Sequence, residues 1–242
     1  MAFTHLHVHT EYSLLDGSNK IKEYVRRVKE LGMDSAAITD HGVMYGVIDF
    51  YKACRAEGIR PILGCEVYVA PNSRFDKELT GGDDRYYHLV LLAENNTGYN
   101  NLTRIVSRGF TEGYYYKPRV DMELLQEFHE GIIALSACLA GEVQRYITKG
   151  LYDEAKKTAL KYQACFGKGN YFLELQDHGL PEQKMVNTAL LQMSKELDIP
   201  LVATNDVHYT YKEDVKPHDI LLCLQTGKKL ADEDRMRYVG GQ

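Results

Sequence analysis

The chain has 242 residues, 44% hydrophobic and 26% charged, a balance that excludes disordered and fibrous classes. Lys and Arg number 29 against 34 Asp and Glu, so the net charge is -5 and no basic nucleic-acid surface is written into the composition. The longest apolar runs, such as Leu89-Val90-Leu91-Leu92-Ala93, fall far short of the roughly 20 residues of a membrane span, and Met1-Ala2-Phe3-Thr4-His5 lacks the basic-then-apolar order of a signal peptide.

Short β-rich runs alternate with helical stretches. Strands are expected at 3–8, 35–39, 61–69, 87–93, 132–136, 171–175 and 201–204. The first helix is expected over 21–31, where Ile21, Tyr24, Val25, Val28 and Leu31 recur at helical spacing and Gly32 stops it. Residues 70–85, with Pro71, Gly81-Gly82 and Asp83-Asp84, predict a surface loop. Further helices are expected over 153–166 and over 181–197, the latter opening on a proline suited to a first turn. Strands alternating with helices imply an α/β fold with a parallel sheet, and seven such units predict a (β/α) barrel. An open doubly wound sheet is the competing architecture. No linker or repeat divides the chain, so residues 1–242 read as one domain. The close at Tyr238-Val239-Gly240-Gly241-Gln242 suggests a piece of a longer protein.

Potential metal ligands gather at the strand ends. Histidines 5, 7 and 9 alternate along the first strand, and a strand with period two turns all three to one face. The bland reading is three surface histidines on an edge. Asp16-Gly17 follows, by itself only a turn signal. Thr39-Asp40-His41-Gly42 closes the second strand, where Asp40 could steady the His41 ring, although a plain turn fits as well. Glu66 interrupts the apolar run Ile62-Leu63-Gly64-Cys65-Glu66-Val67, and burying it is costly unless it is paired or bound to metal. Cys65 would then face the other side and pack. His88 and Cys138 stand at further strand ends, each more often structural when alone. Asp206 and His208, at i and i+2, end the last strand.

These residues exceed the needs of one tetrahedral ion and suit two or three ions sharing carboxylates, an arrangement typical of phosphoester hydrolysis. Asp16, Glu66, Asp206 and a Cys138 thiolate would carry four negative charges against six on three divalent ions, so the pocket attracts phosphate only when loaded. The five scattered cysteines read as reduced thiols in a cytoplasmic protein.

With these motifs the chain resembles the polymerase and histidinol phosphatase (PHP) family. His5-Leu6-His7-Val8-His9-Thr10-Glu11-Tyr12-Ser13-Leu14-Leu15-Asp16-Gly17 is closer still to the N-terminal region of the C-family replicative polymerases of bacteria, the DNA polymerase III α subunits. So are Ala37-Ile38-Thr39-Asp40-His41-Gly42, Gly113-Tyr114-Tyr115-Tyr116-Lys117-Pro118-Arg119-Val120-Asp121 and Ala203-Thr204-Asn205-Asp206-Val207-His208-Tyr209. The resemblance implies a distorted (β/α)7 barrel of the PHP type, with residues from about 213 to 242 leading toward a polymerase region. It implies metal ligands at His7, His9, Asp16, His41, Glu66, His88, Cys138, Asp206 and His208, with His7, His9, Asp206 and His208 catalytic and Glu66 bridging two ions. The ions would be zinc or manganese, with iron a further candidate, and a thiolate at Cys138 favours zinc. His5, where other members have aspartate, and Asp40 would support the ligands from behind. The implied activity is a metal-dependent 3'–5' exonuclease that proofreads in bacterial DNA replication, in the cytoplasm. Its partners would be a DNA primer end, the polymerase core of the same chain and other replisome subunits, with no membrane. Lys117 or Arg119 would hold phosphate, and Tyr114-Tyr115-Tyr116 would stack on unpaired bases or pack in the core. The alternatives are a catalytically silent, metal-stabilised scaffold that supports the polymerase or a separate exonuclease subunit, and a free histidinol-phosphate-type phosphatase.

Overall fold

The computed structural model describes residues 3–78 and 85–238. The strands are β1 (Ser35–Ile38), β2 (Arg60–Val69), β3 (Tyr87–Ala93), β4 (Tyr114–Tyr115), β5 (Lys117–Val120), β6 (Ile132–Leu135), β7 (Tyr171–Leu175) and β8 (Leu201–Ala203). The helices are α1 (Ile21–Glu30), α2 (Val47–Glu57), α3 (Asn96–Thr111), α4 (Met122–Glu127), α5 (Glu142–Thr148), α6 (Tyr152–Phe166), α7 (Pro181–Leu197) and α8 (Val215–Thr226). Local chemistry fixes several ends. The Asn95 side chain accepts from Gly98 N at 3.0 Å to open α3, and Asp121 accepts from Leu124 N at 3.0 Å to open α4. Tyr116, at φ 61°, turns the chain between β4 and β5, a hairpin not anticipated from the tyrosine run.

The sheet runs β4-β5-β2-β3-β6-β7-β8, with β1 also on β2. It is mixed, not parallel as expected: β3 is antiparallel to both β2 and β6. The described residues between β2 and β3 contain no helix, and without a crossover helix a neighbouring strand returns antiparallel. Much of the expected 70–85 loop is irregular, and its residues 79–84 lie outside the described ones. It is not wholly superficial: Arg74 is fully buried and pairs with Asp121 at 2.8 Å and Glu112 at 2.6 Å.

The strand expected over 3–8 does not form as a regular element. The chain bends at His7 and makes only an isolated bridge, Val8 to Val207. It is nonetheless held on two sides. Ala37 N donates to His5 O at 3.1 Å and Thr39 N to Val8 O at 2.9 Å, while Val207 N donates to His7 O at 3.0 Å and His9 N to Val207 O at 2.8 Å. This segment thereby fills the gap between β1 and the chain beyond β8, and the sheet curls into a distorted seven-stave ring.

Three apolar clusters support the ring. The largest lies between the sheet and α3–α7 and includes Cys65, Leu89 and Leu91. A second packs α1 and α2 on β1. A third, built on Val90, Leu92, Leu135 and Ala137, fills the interior with Leu6, Ile62 and Phe172. Alternation along β2 therefore sends Cys65 outward, as expected, and Glu66 inward.

The start of α3 leaves no room for a side chain. A Cβ on Gly98 would lie 1.7 Å from the Gly131 carbonyl oxygen. Gly98→Ala is expected to lower stability by about 2 kcal/mol, because overpacking by ~1–3 kcal/mol outweighs the helix-propensity gain. Urea unfolding followed by circular dichroism checks this.

Candidate metal centre

The nine expected ligands come together at the ends of the ring's staves. His41 bridges to Glu66 across an extension of β1 and β2, with Gly42 N donating to Glu66 O at 2.8 Å. His88 faces the same interior from β3, opposite Tyr68 of β2. Glu66 sits at the centre. Its Oε1 lies 2.9 Å from His88 Nδ1 and 3.2 Å from His7 Nε2, and its Oε2 lies 2.5 Å from His41 Nδ1 and 3.7 Å from His9 Nε2. Asp206 Oδ1 lies 3.3, 3.2 and 3.6 Å from His7 Nε2, His9 Nε2 and His208 Nδ1. Asp16 Oδ2 is 2.8 Å from His41 Nε2, and Cys138 Sγ is 3.8 Å from His88 Nδ1. Three overlapping trios have ligand atoms within 4.8 Å of one another: His9–His41–His208, His7–His9–Glu66 and His41–Glu66–His88.

The supporting hydrogen bonds decide which nitrogens carry lone pairs. His7 Nδ1 donates to Glu174 Oε1 at 2.7 Å, which leaves Nε2 to be bared when its proton is displaced. The Ser13 hydroxyl spends its one hydrogen on Asp40 at 2.6 Å, so His9 Nδ1, 3.1 Å from Ser13 Oγ, must be the donor there and His9 Nε2 is bare. His9 Nε2 thus confronts Asp206 Oδ1 with no proton between two acceptors. His7 Nε2, His9 Nε2, His41 Nδ1, Asp16 Oδ1, Glu66 Oε2 and Asp206 Oδ1 are all buried without a hydrogen-bond partner. Such a set is costly alone and is what divalent cations satisfy.

Charge follows the same geometry. Burial, opposed and outweighed by the facing histidines, leaves Glu66 and Asp206 far below the usual carboxylate range. Burial presses the His41 imidazole down, but Glu66 and the bond to Asp16 outweigh it and lift His41 to about 10. Burial, with His41 and His208 adding, lowers His9 to about 3. Burial, reinforced by Asp206 and Glu66, pushes the Cys138 thiol well up, so the thiolate counted from the sequence forms only beside a cation.

The surroundings depart from the expectations at several residues. His5 does not stand behind the ligands. The bend at His7 breaks the alternation, and His5 lines a separate cavity with Tyr24, Arg27 and Tyr211. Asp40 does not touch the His41 ring; it clamps Thr10 N at 2.6 Å and Ser13, and so steadies His9. Arg119 is buried, and its guanidinium is spent on the carbonyls of Gly113, Arg74 and Asp76, which leaves it unavailable for phosphate. Tyr114 and Tyr116 are exposed rather than core, and neither lines the cavity. Lys117 Nζ lies over the Tyr68 ring at 5.3 Å, beside the cup rather than in it.

Two contributors escaped the sequence reading. Glu174, buried on β7, holds His7 and also accepts from Gln176 at 2.9 Å and from Thr204. Its signal was the same as that of Glu66, a carboxylate inside an apolar strand. His178 Nε2 donates to Asn205 O at 2.7 Å, and Gln183 fixes the ring through His178 Nδ1 at 2.8 Å. This braces the turn at Asp206, whose φ of 48° is left-handed. The cavity above the ligands measures about 330 Å³, and Arg145 and Arg237 contribute cations to its lining.

Comparison with known proteins places the fold in a family. Residues 5–178 match the PHP domain, and the chain belongs to that family. It is 52% identical over 238 residues to the DNA polymerase III subunit alpha of Treponema pallidum, covering 98% of this chain and 20% of that protein. The chain thus spans about a fifth of the length of such relatives. An amidohydrolase from Chromobacterium violaceum shares the fold at TM-score 0.56 and 14% identity, covering 86% of this chain and 88% of that one. A two-domain protein from Bacteroides vulgatus, described as containing a predicted PHP-like metal-dependent phosphoesterase, matches at TM-score 0.54 and 14% identity, over 93% of this chain and 55% of that one.

Two outcomes follow from the bonding. Glu174→Gln is expected to weaken zinc affinity by about 10–100-fold, the usual cost of losing a ligand's orienting partner; zinc titration by calorimetry measures it. His41, raised from 6.5 to about 10, is protonated at neutral pH without ions. Its stabilising pairing with Glu66 is full below its unfolded value and is lost as pH rises through about 10. A cation must displace that proton, so ion uptake at neutral pH releases protons and tightens as pH rises toward about 10. Calorimetry in buffers of different ionisation enthalpy reads the release.

Proposed function

We propose that the chain is the PHP domain of a bacterial replicative DNA polymerase and acts there as a metal-dependent 3'–5' exonuclease on DNA primer ends. The observation that carries this reading is the set of bared imidazole and carboxylate atoms around one cup, in a chain 52% identical to a DNA polymerase III subunit alpha. His7, His9, Asp16, His41, Glu66, His88, Cys138, Asp206 and His208 are the proposed ligands of two or three divalent ions, with Glu66, reaching both sides of the cup, shared between two of them. Bound divalent ions would supply Lewis-acid polarisation of the scissile phosphate and of the attacking water.

The protein's own contribution is placement. Glu174 holds His7, and the Asp40–Ser13 pair holds His9, so their Nε2 atoms cannot turn away from the cup. Asp206, kept ionised by the histidines around it, faces His7 and His9 with Oδ1 and offers that oxygen to a cation. Arg145 and Arg237 line the cavity, whereas Arg119 does not. Exposed Tyr114 and Tyr116 would stack on unpaired bases beyond the cup.

A metal-stabilised scaffold is the second reading, favoured by one observation: Tyr238 already occupies His208 within the cup. Primer shortening separates the two. With manganese or zinc and a mismatched primer–template, the chain is expected to yield a ladder of shortened primers. His9→Ala and Asp206→Ala should each lower the rate by at least about 100-fold, as loss of a transition-state contact worth ~3 kcal/mol does. No shortening by the parent, with ions only raising the melting temperature, supports the scaffold. Variants that cut as fast as the parent would assign the nuclease to a contaminant.

A further inference from the structure

Residues 235–238 run across the mouth of the cup. Arg235 anchors them to α8 through both carboxylate oxygens of Asp219, with Nη2 to Oδ2 at 2.7 Å, and the Arg235 side chain is 5% exposed. The Tyr238 ring packs on His208 at 4.7 Å and edge-on to His218 at 4.9 Å. His218 is itself buried and tied to the Asp16 carbonyl at 2.7 Å, which fixes this assembly to the loop that carries Asp16. The Tyr238 hydroxyl lies 3.0 Å from His208 Nε2.

The direction of that hydrogen bond is set by the rest of the ring. His208 Nδ1 lies 2.8 Å from the Asp206 carbonyl oxygen and must donate to it. Nε2 is therefore the acceptor, and Tyr238 donates. Nε2 is also the only His208 atom left to bind a cation. Of the three ligand trios, one includes His208, together with His9 and His41; the other two do not.

We propose that Tyr238 controls entry of the cation that takes His208: its hydroxyl and that cation compete for the single lone pair of His208 Nε2. A cation held through Glu66 without His208 enters with residues 235–238 in place. The ion that needs His208 enters only when the phenol withdraws, so loading is ordered. No bond is made or broken beyond the hydrogen bond, and the phenol keeps its proton. The inference rests on the reading of the cup as a metal centre.

Zinc titration of the whole 242-residue chain tests it, by calorimetry with metal analysis of the dialysed product. The parent is expected to show tight steps and one weaker step. Tyr238→Phe keeps the ring and removes the donor; Arg235→Ala frees the anchor. Each should tighten the weakest step by about five-fold, the equivalent of one ordinary hydrogen bond, and leave the tight steps unchanged. Circular dichroism confirms that both variants fold. If the parent binds zinc and both variants titrate as it does, or bind more weakly at that step, control by Tyr238 is overturned while the metal centre stands. If no zinc enters parent or variants, both fail together.

Discussion

Everything in the upper half of the ring answers to one constraint: acceptor atoms face acceptor atoms in a place that water barely reaches. His9 Nε2 and Asp206 Oδ1 stand 3.2 Å apart, both without a proton. Left bare, each such group costs about 1–3 kcal/mol. Without ions, protons stand in for part of the missing positive charge. Burial works against it, yet the surrounding carboxylates hold His7 well above its ordinary value, and Glu66 with Asp16 lift His41 to about 10. Protons neutralise charge, but a proton bridges only one donor and one acceptor. A cation takes several acceptors at once, and only that geometry matches Glu66 reaching four histidines from two oxygens.

The same constraint accounts for where the backbone departs from regularity. Non-glycine residues with left-handed φ include Leu15, beside Asp16, Ala137, beside Cys138, and Asp206 itself. Each such conformation costs on the order of 1 kcal/mol. A regular strand continuing through these points would deliver side chains on a fixed alternation, and seven staves cannot all aim at one point that way. Short bridges such as Val8 to Val207 and His41 to Glu66 replace full ladders at this end of the ring. The irregular rim is how distant segments converge.

This division also explains what could be read from residue order. Strands β2, β3, β6, β7 and β8 were legible because apolar runs bounded by turn residues have few other uses. Tyr87–Ala93 and Tyr171–Leu175 match to the residue. The first stave was legible as chemistry but not as a strand, since its histidines signal ligands whatever the ladder does. The antiparallel course of β3 was not legible, because direction depends on what a connection does in space and not on the strand's own residues. The nine residues expected as ligands were individually weak signals, and their recurrence at strand ends anticipated that they gather around one cup. Glu174 was overlooked although it breaks its strand as Glu66 does, because it serves a ligand rather than acting as one. Arg119 misled because a cation in a turn-rich stretch looks solvated, whereas its partners are carbonyls that no sequence pattern marks.

The charge balance ties the site to its surroundings. The chain is acidic overall, and the basic residue closest in expectation to a phosphate contact is consumed internally. Arg145 and Arg237 line the cavity above Asp16, Glu66 and Asp206. Without ions, the protonated His41 offsets part of that carboxylate charge. Each divalent ion that enters adds two positive charges under the Arg rim, more than the proton it displaces from His41 removes, so the cup grows more positive as it fills. A phosphate therefore meets a more attractive field over a loaded centre, and the last ion to enter completes that field. It falls at His208, the ligand already held by a phenol.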